Sequence, residues 1–274
     1  MSVIQNIKNE LQKHSTLTIL LIVNISLFFI INISTGIFNF PLYVYLALPL
    51  KFNLFLTHFW TLFTYMFAHK DLGHVFYNML LLYFTAQTFL NFLPEKKLVF
   101  VYIASGLFGG LILLILSCIF PSVFAYSLLF GASAAVLGIV MSLAAFIPNL
   151  PVNLFGIIEM RYKYYALLVF ALTTIIDFNV NTGGKISHVG GALFGLFFGY
   201  MLKQGKDLSS VSFFKFKKSP QLKVVQNKPR ANSNVPNSAN QHTIDTLLDK
   251  ISKIGYDNLS KAEKELLFKL SQKK

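Results

Sequence analysis

Phe130–Gly138, FGASAAVLG, sets one serine, Ser133, among Gly131, Ala132, Ala134, Ala135 and Gly138, after a loop and at the start of an apolar run that continues to Ile147. Small residues allow close backbone approach, and two readings compete for them. They can mark a tight contact between transmembrane helices, with Ser133 bonded back to its own helix. They can also form a G-x-S-x element that presents a reactive serine. The rest of the chain has to decide between the two.

Composition places that stretch in a bilayer. Of 274 residues, 54% are hydrophobic and only 13% charged, which is unusual for a soluble chain. The apolar runs carry most of the 29 Phe and 12 Tyr and reach the roughly 20 residues that a spanning helix needs. The expected fold class is therefore all-α, a polytopic membrane protein embedded in the lipid bilayer. The net charge of +13 sits beside these runs and in the tail, where anionic lipid explains it more simply than nucleic acid does. Cys118 stands alone inside an apolar run and reads as a small core hydrophobe. Neither a disulfide framework nor a metal site is expected, and no cofactor.

Residues 1–16 are polar, a cytoplasmic N-terminal segment, and residues 17–203 form the membrane domain. Six spanning helices are expected there: Leu17–Phe38, His74–Leu93, Leu98–Phe120, Ala132–Ile147, about Tyr164–Phe178 and about Ile186–Leu202. Residues 39–57, interrupted by Pro41 and Pro49, read as an interfacial or re-entrant segment. Residues 121–130 read as a short uncharged loop, Pro148–Tyr162 as a connection and Asn179–Lys185 as a turn. Lys8, Lys13, Lys96, Lys97, Arg161, Lys163, Lys203 and Lys206 gather at one set of helix ends. Both termini are then cytoplasmic, in the inner membrane of the cell. Residues 204–241 read as a basic, polar, disordered linker. Residues 242–274 regain helical periodicity, with Gly255 as a stop and a Ser260/Glu263 capping box. Such a helical hairpin is too small to bury a stable core alone and is expected to dock on a cytoplasmic partner.

Polar groups within a bilayer are functional candidates by default. His74 and Asn78, four residues apart, project from one helix face. His188 precedes Gly191, Gly195 and Gly199, a small-residue ridge that suits close packing on the helix of Ser133. That packing brings an imidazole to the hydroxyl, the minimum for nucleophilic catalysis. The first helical turn offers Ser133 unpaired N–H groups and the positive end of the dipole. His74 and Asn78 either complete an anion site there or tie helices together. Asp71 and Asp177 are the only acids that could orient His188. The first reads as a helix cap and the second as a headgroup-level residue. His58 and His69 read as structural hydrogen-bonding residues.

His74-x-x-x-Asn78, Gly131-Ala132-Ser133-Ala134 and His188-Val189-Gly190-Gly191 with Gly195, in this order, resemble the rhomboid family of intramembrane serine proteases across residues 17–203. The resemblance implies a Ser133–His188 dyad without a catalytic acid, and an oxyanion site from His74, Asn78 and the Ser133 amide. It implies transmembrane protein substrates that enter sideways near the fifth helix. Gly131, Gly191 and Gly195 then serve close packing at the site. Three positions depart from the family pattern: Ala134 in place of a glycine, Thr61 after Trp60 in place of an arginine, and Leu137 in place of a tyrosine. A catalytically inactive rhomboid-like protein that binds membrane substrates is the alternative. A transporter or channel would be expected to show a charge near the centre of a span, and none is found.

Overall fold

A run of small and branched apolar residues without charge can bury every side only at the centre of a bundle. All of Ala134–Leu143 is buried. The structure, a computed structural model, describes residues 15–124, 127–154, 158–175, 182–210 and 238–271. The chain divides into two compact units, Met1–Phe214 and Lys215–Lys274. The described residues of both are mostly helical. The described long helices of the first unit are α1 (Ser15–Gly36), α2 (Leu72–Leu90), α3 (Glu95–Ile119), α4 (Ser133–Phe146), α5 (Tyr162–Phe170) and α6 (Thr182–Lys203). A π-helical turn, Ala171–Ile175, continues α5.

Helix α4 is central, packed on α2, α3, α5 and α6. Its contact with α6 is close because the facing residues lack side chains. A Cβ on Gly191, Gly195 or Gly199 would stand 2.1–2.2 Å from the carbonyl oxygens of Ala134, Gly138 and Ser142 respectively. Gly190 meets Gly109 of α3 in the same way, with 2.8 Å between its would-be Cβ and the Gly109 Cα. The outer faces are apolar too. Phe29 and Ile30 on α1, Phe76 and Phe84 on α2, and Leu193 and Phe197 on α6 are exposed, an amount of bare apolar surface that soluble proteins rarely carry. Helices α1 and α3 are long and apolar enough to cross a membrane by length and composition.

One end of the unit is held by polar contacts. Glu95 accepts from Ser15 and Thr16 at the start of α1, and Lys97 pairs with Asp207 at 2.5 Å. Here α4 also turns into α5, with the Lys163 amide donating to Pro148 O. At the opposite end lies an elaborate connection between α1 and α2. It comprises short helices Leu42–Leu46, Phe52–Thr57 and Thr61–Thr64, and strand β1 (Leu48–Pro49), which pairs antiparallel with β2 (Leu128–Leu129). Trp60 Nε1 donates to Tyr45 O and Thr61 Oγ1 to His58 O, so the Trp-Thr pair closes this loop on itself.

Several expectations need correction. Helix α6 begins at Thr182, so residues 182–185 are helical and not a turn, and His188 lies in the second turn. Gly183 and Gly184 have low helix propensity, yet α6 runs through both without a break. The Pro148–Tyr162 connection contains an antiparallel pair, β3 (Pro151–Leu154) with β4 (Ile158–Arg161). Its residues are largely exposed or half-buried, so burial imposed no strong alternation on the sequence. Cys118 is exposed. An apolar helix face that lipid can cover needs no protein over it, so hydrophobicity alone did not identify core. Residues 204–210, expected to begin a disordered linker, return to the bundle: Asp207 accepts from Lys97 and from the Ser209 amide and hydroxyl. Asp177 and residues 211–237 lie outside the described residues.

The second unit holds α7 (Ser238–Ile254) and α8 (Lys261–Ser271). Gly255, at φ +81°, makes the turn that a side chain would strain. Ser260 and Glu263 cap α8 reciprocally, amide to carboxylate at 2.9 Å and amide to hydroxyl at 3.3 Å.

Candidate active site

Gly131 makes the geometry of the site. Its φ of +118° suits glycine, and a Cβ there would strike the His74 ring at 2.6 Å. The turn is pinned on both sides. The Gly131 amide donates to Tyr65 O at 2.9 Å, and the Ala132 amide donates to His69 Nε2 at 3.2 Å. Ser133 follows as the first residue of α4.

His188 Nε2 lies 2.6 Å from Ser133 Oγ, and its Nδ1 lies 3.1 Å from the backbone oxygen of Thr173. A carbonyl can only accept, so Nδ1 carries the proton and Nε2 is left to accept from the serine hydroxyl. That is the tautomer a general base needs. Thr173 belongs to the π-helical turn after α5, and turns of this kind recur at functional sites. The Thr174 hydroxyl stands 3.5 Å from the same nitrogen. A backbone carbonyl among the described residues thus helps to orient His188. Asp71 is at the N-cap of α2 by backbone conformation, yet its side chain makes no capping hydrogen bond.

Asn78 is buried, with Nδ2 donating to His74 O at 3.0 Å and lying 3.4 Å from His69 Nε2. The His69 and His74 rings meet edge to face at 5.2 Å, and His74 borders Phe130. His69 is itself buried. Burial first, and the neighbouring His74 second, push its pKa down to about 3, partly offset by its contact with Phe67 O. It therefore stays neutral at physiological pH, with Nδ1–H toward Phe67 O and Nε2 accepting from the Ala132 amide.

The structure thus brings Ser133, His188, Gly131, His74 and Asn78 to one place, with Gly191 and Gly195 on the α4–α6 contact beneath. Two contributors were not found in the sequence. Thr173 acts through a main-chain oxygen, which leaves no residue signature. His69 was read as structural, and only the fold shows that what it supports is the turn before Ser133. Leu137, one turn beyond Ser133, is buried in the bundle.

A half-buried serine and histidine in hydrogen-bond contact, inside a bundle of helices with apolar outer faces, mark a membrane protein with a polar site between its helices. A family model described as the rhomboid domain matches residues 56–205, more than half of the chain, and the chain belongs to the rhomboid family, whose members are generally intramembrane serine proteases. A second model, described as a family of unknown function, DUF6576, matches residues 232–273. Among curated proteins none matches the chain.

Proposed function

We propose that this chain is an intramembrane serine endopeptidase that cleaves transmembrane segments of other proteins. The observation that carries this reading is the 2.6 Å contact from Ser133 Oγ to His188 Nε2, with His188 Nδ1 held by Thr173 O. Ser133 Oγ attacks the scissile carbonyl carbon while its proton passes to His188 Nε2. The tetrahedral oxyanion draws on the Ser133 amide at the start of α4, on the dipole of that helix and on the Asn78 side-chain amide, with His74 beside them. Collapse breaks the C–N bond, and His188 gives its proton to the leaving nitrogen. A water, deprotonated by His188, then attacks the acyl-serine ester and releases Ser133.

In this reading the Thr173 carbonyl helps to fix the imidazole ring and its tautomer. The reading includes six spans, both termini cytoplasmic and residence in the inner membrane, with the site near the outer face. It also includes the four-part division of the chain: an N-terminal segment, a membrane domain, a linker and a C-terminal hairpin with a cytoplasmic partner. A catalytically inactive substrate-binding role has no use for a hydroxyl and an imidazole held in this tautomer. Labelling by a fluorophosphonate probe tests the proposal. Wild type should acquire one covalent adduct on Ser133, and Ser133→Ala none. An unlabelled but folded wild-type protein would favour the inactive alternative.

A further inference from the structure

The outer surface between α5 and α6 is not smooth. A groove of about 540 Å³ runs between the two helices with α4 as its floor. Met141, Ala166 and Ala192 at the bottom are buried, whereas Leu167, Leu193 and Leu196 at the rims are exposed. The groove therefore opens on the surface that faces lipid in a membrane protein. Among the described residues, Lys163 is the only charged one that lines it. It lies at the basic end of the unit, where Arg161 precedes it, and its ammonium sits 5.0 Å over the Tyr164 ring. From Lys163 to Phe170 the lining extends about 10 Å along α5 at the helical rise.

We infer that this groove is a binding site for an anionic phospholipid, with one acyl chain between α5 and α6 and the phosphate at Lys163. Apolar walls at acyl-chain depth that end in a cation at headgroup level match such a lipid in both of its parts. Basic pockets between membrane helices recognise anionic headgroups in the same manner. A polypeptide segment fits less well: among the described residues the lining offers no acidic group or amide side chain to read a peptide, and its one cation lies at the end. The occupant packs beside Val189, the neighbour of His188, and Phe170, three residues before Thr173.

The test uses the full chain in nanodiscs of phosphatidylethanolamine that contain a minor amount of phosphatidylglycerol with a diazirine in its acyl chain. Cross-links are mapped by mass spectrometry. The Ser133→Ala protein is run in parallel, so that the outcome does not depend on the protease reading. Labelling should concentrate on groove residues above the level at the exposed α1 face around Ile22 and Phe29. Lys163→Gln should lower it roughly fivefold, the weight of one basic residue at an anionic surface. Ala144→Phe should block the chain and abolish groove labelling while α1 labelling persists. Should that variant fail to fold, Leu193→Trp on the exposed rim serves the same purpose. Equal labelling of groove and α1, or no response to Lys163→Gln, overturns the proposal. So does equal labelling by a phosphatidylcholine probe of the same chain, or occupation by a diazirine-bearing transmembrane peptide that the lipid does not displace.

Discussion

Ser133 and His188 share one proton, and their effects on rate should therefore not add. Ser133→Ala and His188→Ala are each expected to lower cleavage of a helical membrane substrate in reconstituted vesicles by at least about a thousandfold, and the double variant no further. Asn78→Ala removes the proposed oxyanion donor and should cost on the order of a hundred- to a thousandfold with the pair intact. Near-normal cleavage by Ser133→Ala would sink the mechanism. His69 predicts a pH dependence. Its folded pKa near 3 lies below the ordinary histidine value of about 6.5, so between these values the unfolded chain binds the extra proton. Its contribution to stability is complete above pH 6.5 and declines as the pH falls toward 3. The melting temperature in detergent should drop across that window. His69→Gln keeps an acceptor for the Ala132 amide and should flatten the drop. An equal drop in His69→Gln would assign the effect to other groups.

At the scale of elements, the α4–α6 contact is the joint on which the site depends, because it sets where His188 stands relative to Ser133. A methyl group on Gly195 would meet the Gly138 carbonyl oxygen at 2.2 Å, so the helices must separate to admit it. Gly195→Ala should destabilise the bundle by about 1–3 kcal/mol, as overpacking does, and slow cleavage although it touches neither Ser133 nor His188. Gly73→Ala is the control. Nothing lies within 4 Å of its would-be Cβ, and in α2 the change should be neutral or stabilising by up to about 1 kcal/mol. Thermal unfolding of both variants beside activity checks the pair, and similar losses in the two would remove the packing argument. The π-helical turn that presents Thr173 is the second joint. It couples α5 to His188 through the Thr173 backbone oxygen.

For the molecule as a whole, the basic helix ends and the polar contacts that join them predict orientation. Reporter fusions after Lys97, Arg161 and Lys206 should read cytoplasmic, and fusions within 121–130 should read external. An external reading at Arg161 would reverse the arrangement. Asp207 holds Lys97, and burial, which alone would raise its carboxyl pKa, is outweighed by the Lys97 and Ser209 hydrogen bonds that lower it. A truncation after Phe214 keeps this contact and should retain cleavage of a model substrate. If such a truncation inserted and folded but lost activity, the C-terminal hairpin would have to be counted as an activating part.

By itself the sequence determined the membrane class, the family, the approximate course of the helices, and Ser133, His188, His74 and Asn78 as site candidates. It did so because a bilayer penalises polar groups, so the few that remain inside apolar runs stand out, and because glycine spacing survives as a readable ridge. Tertiary structure alone decided how His188 is oriented, what supports the turn before Ser133, where α6 starts and which apolar faces are core. The Thr173 carbonyl is the same chemical group in every residue, and it becomes specific only through the turn that aims it. The helix runs through Gly183 and Gly184 although both have low helix propensity. Cys118 was misread for the reason that made the helices easy to find: where lipid and protein interior are equally apolar, hydrophobicity marks the helix but not the side on which it is covered.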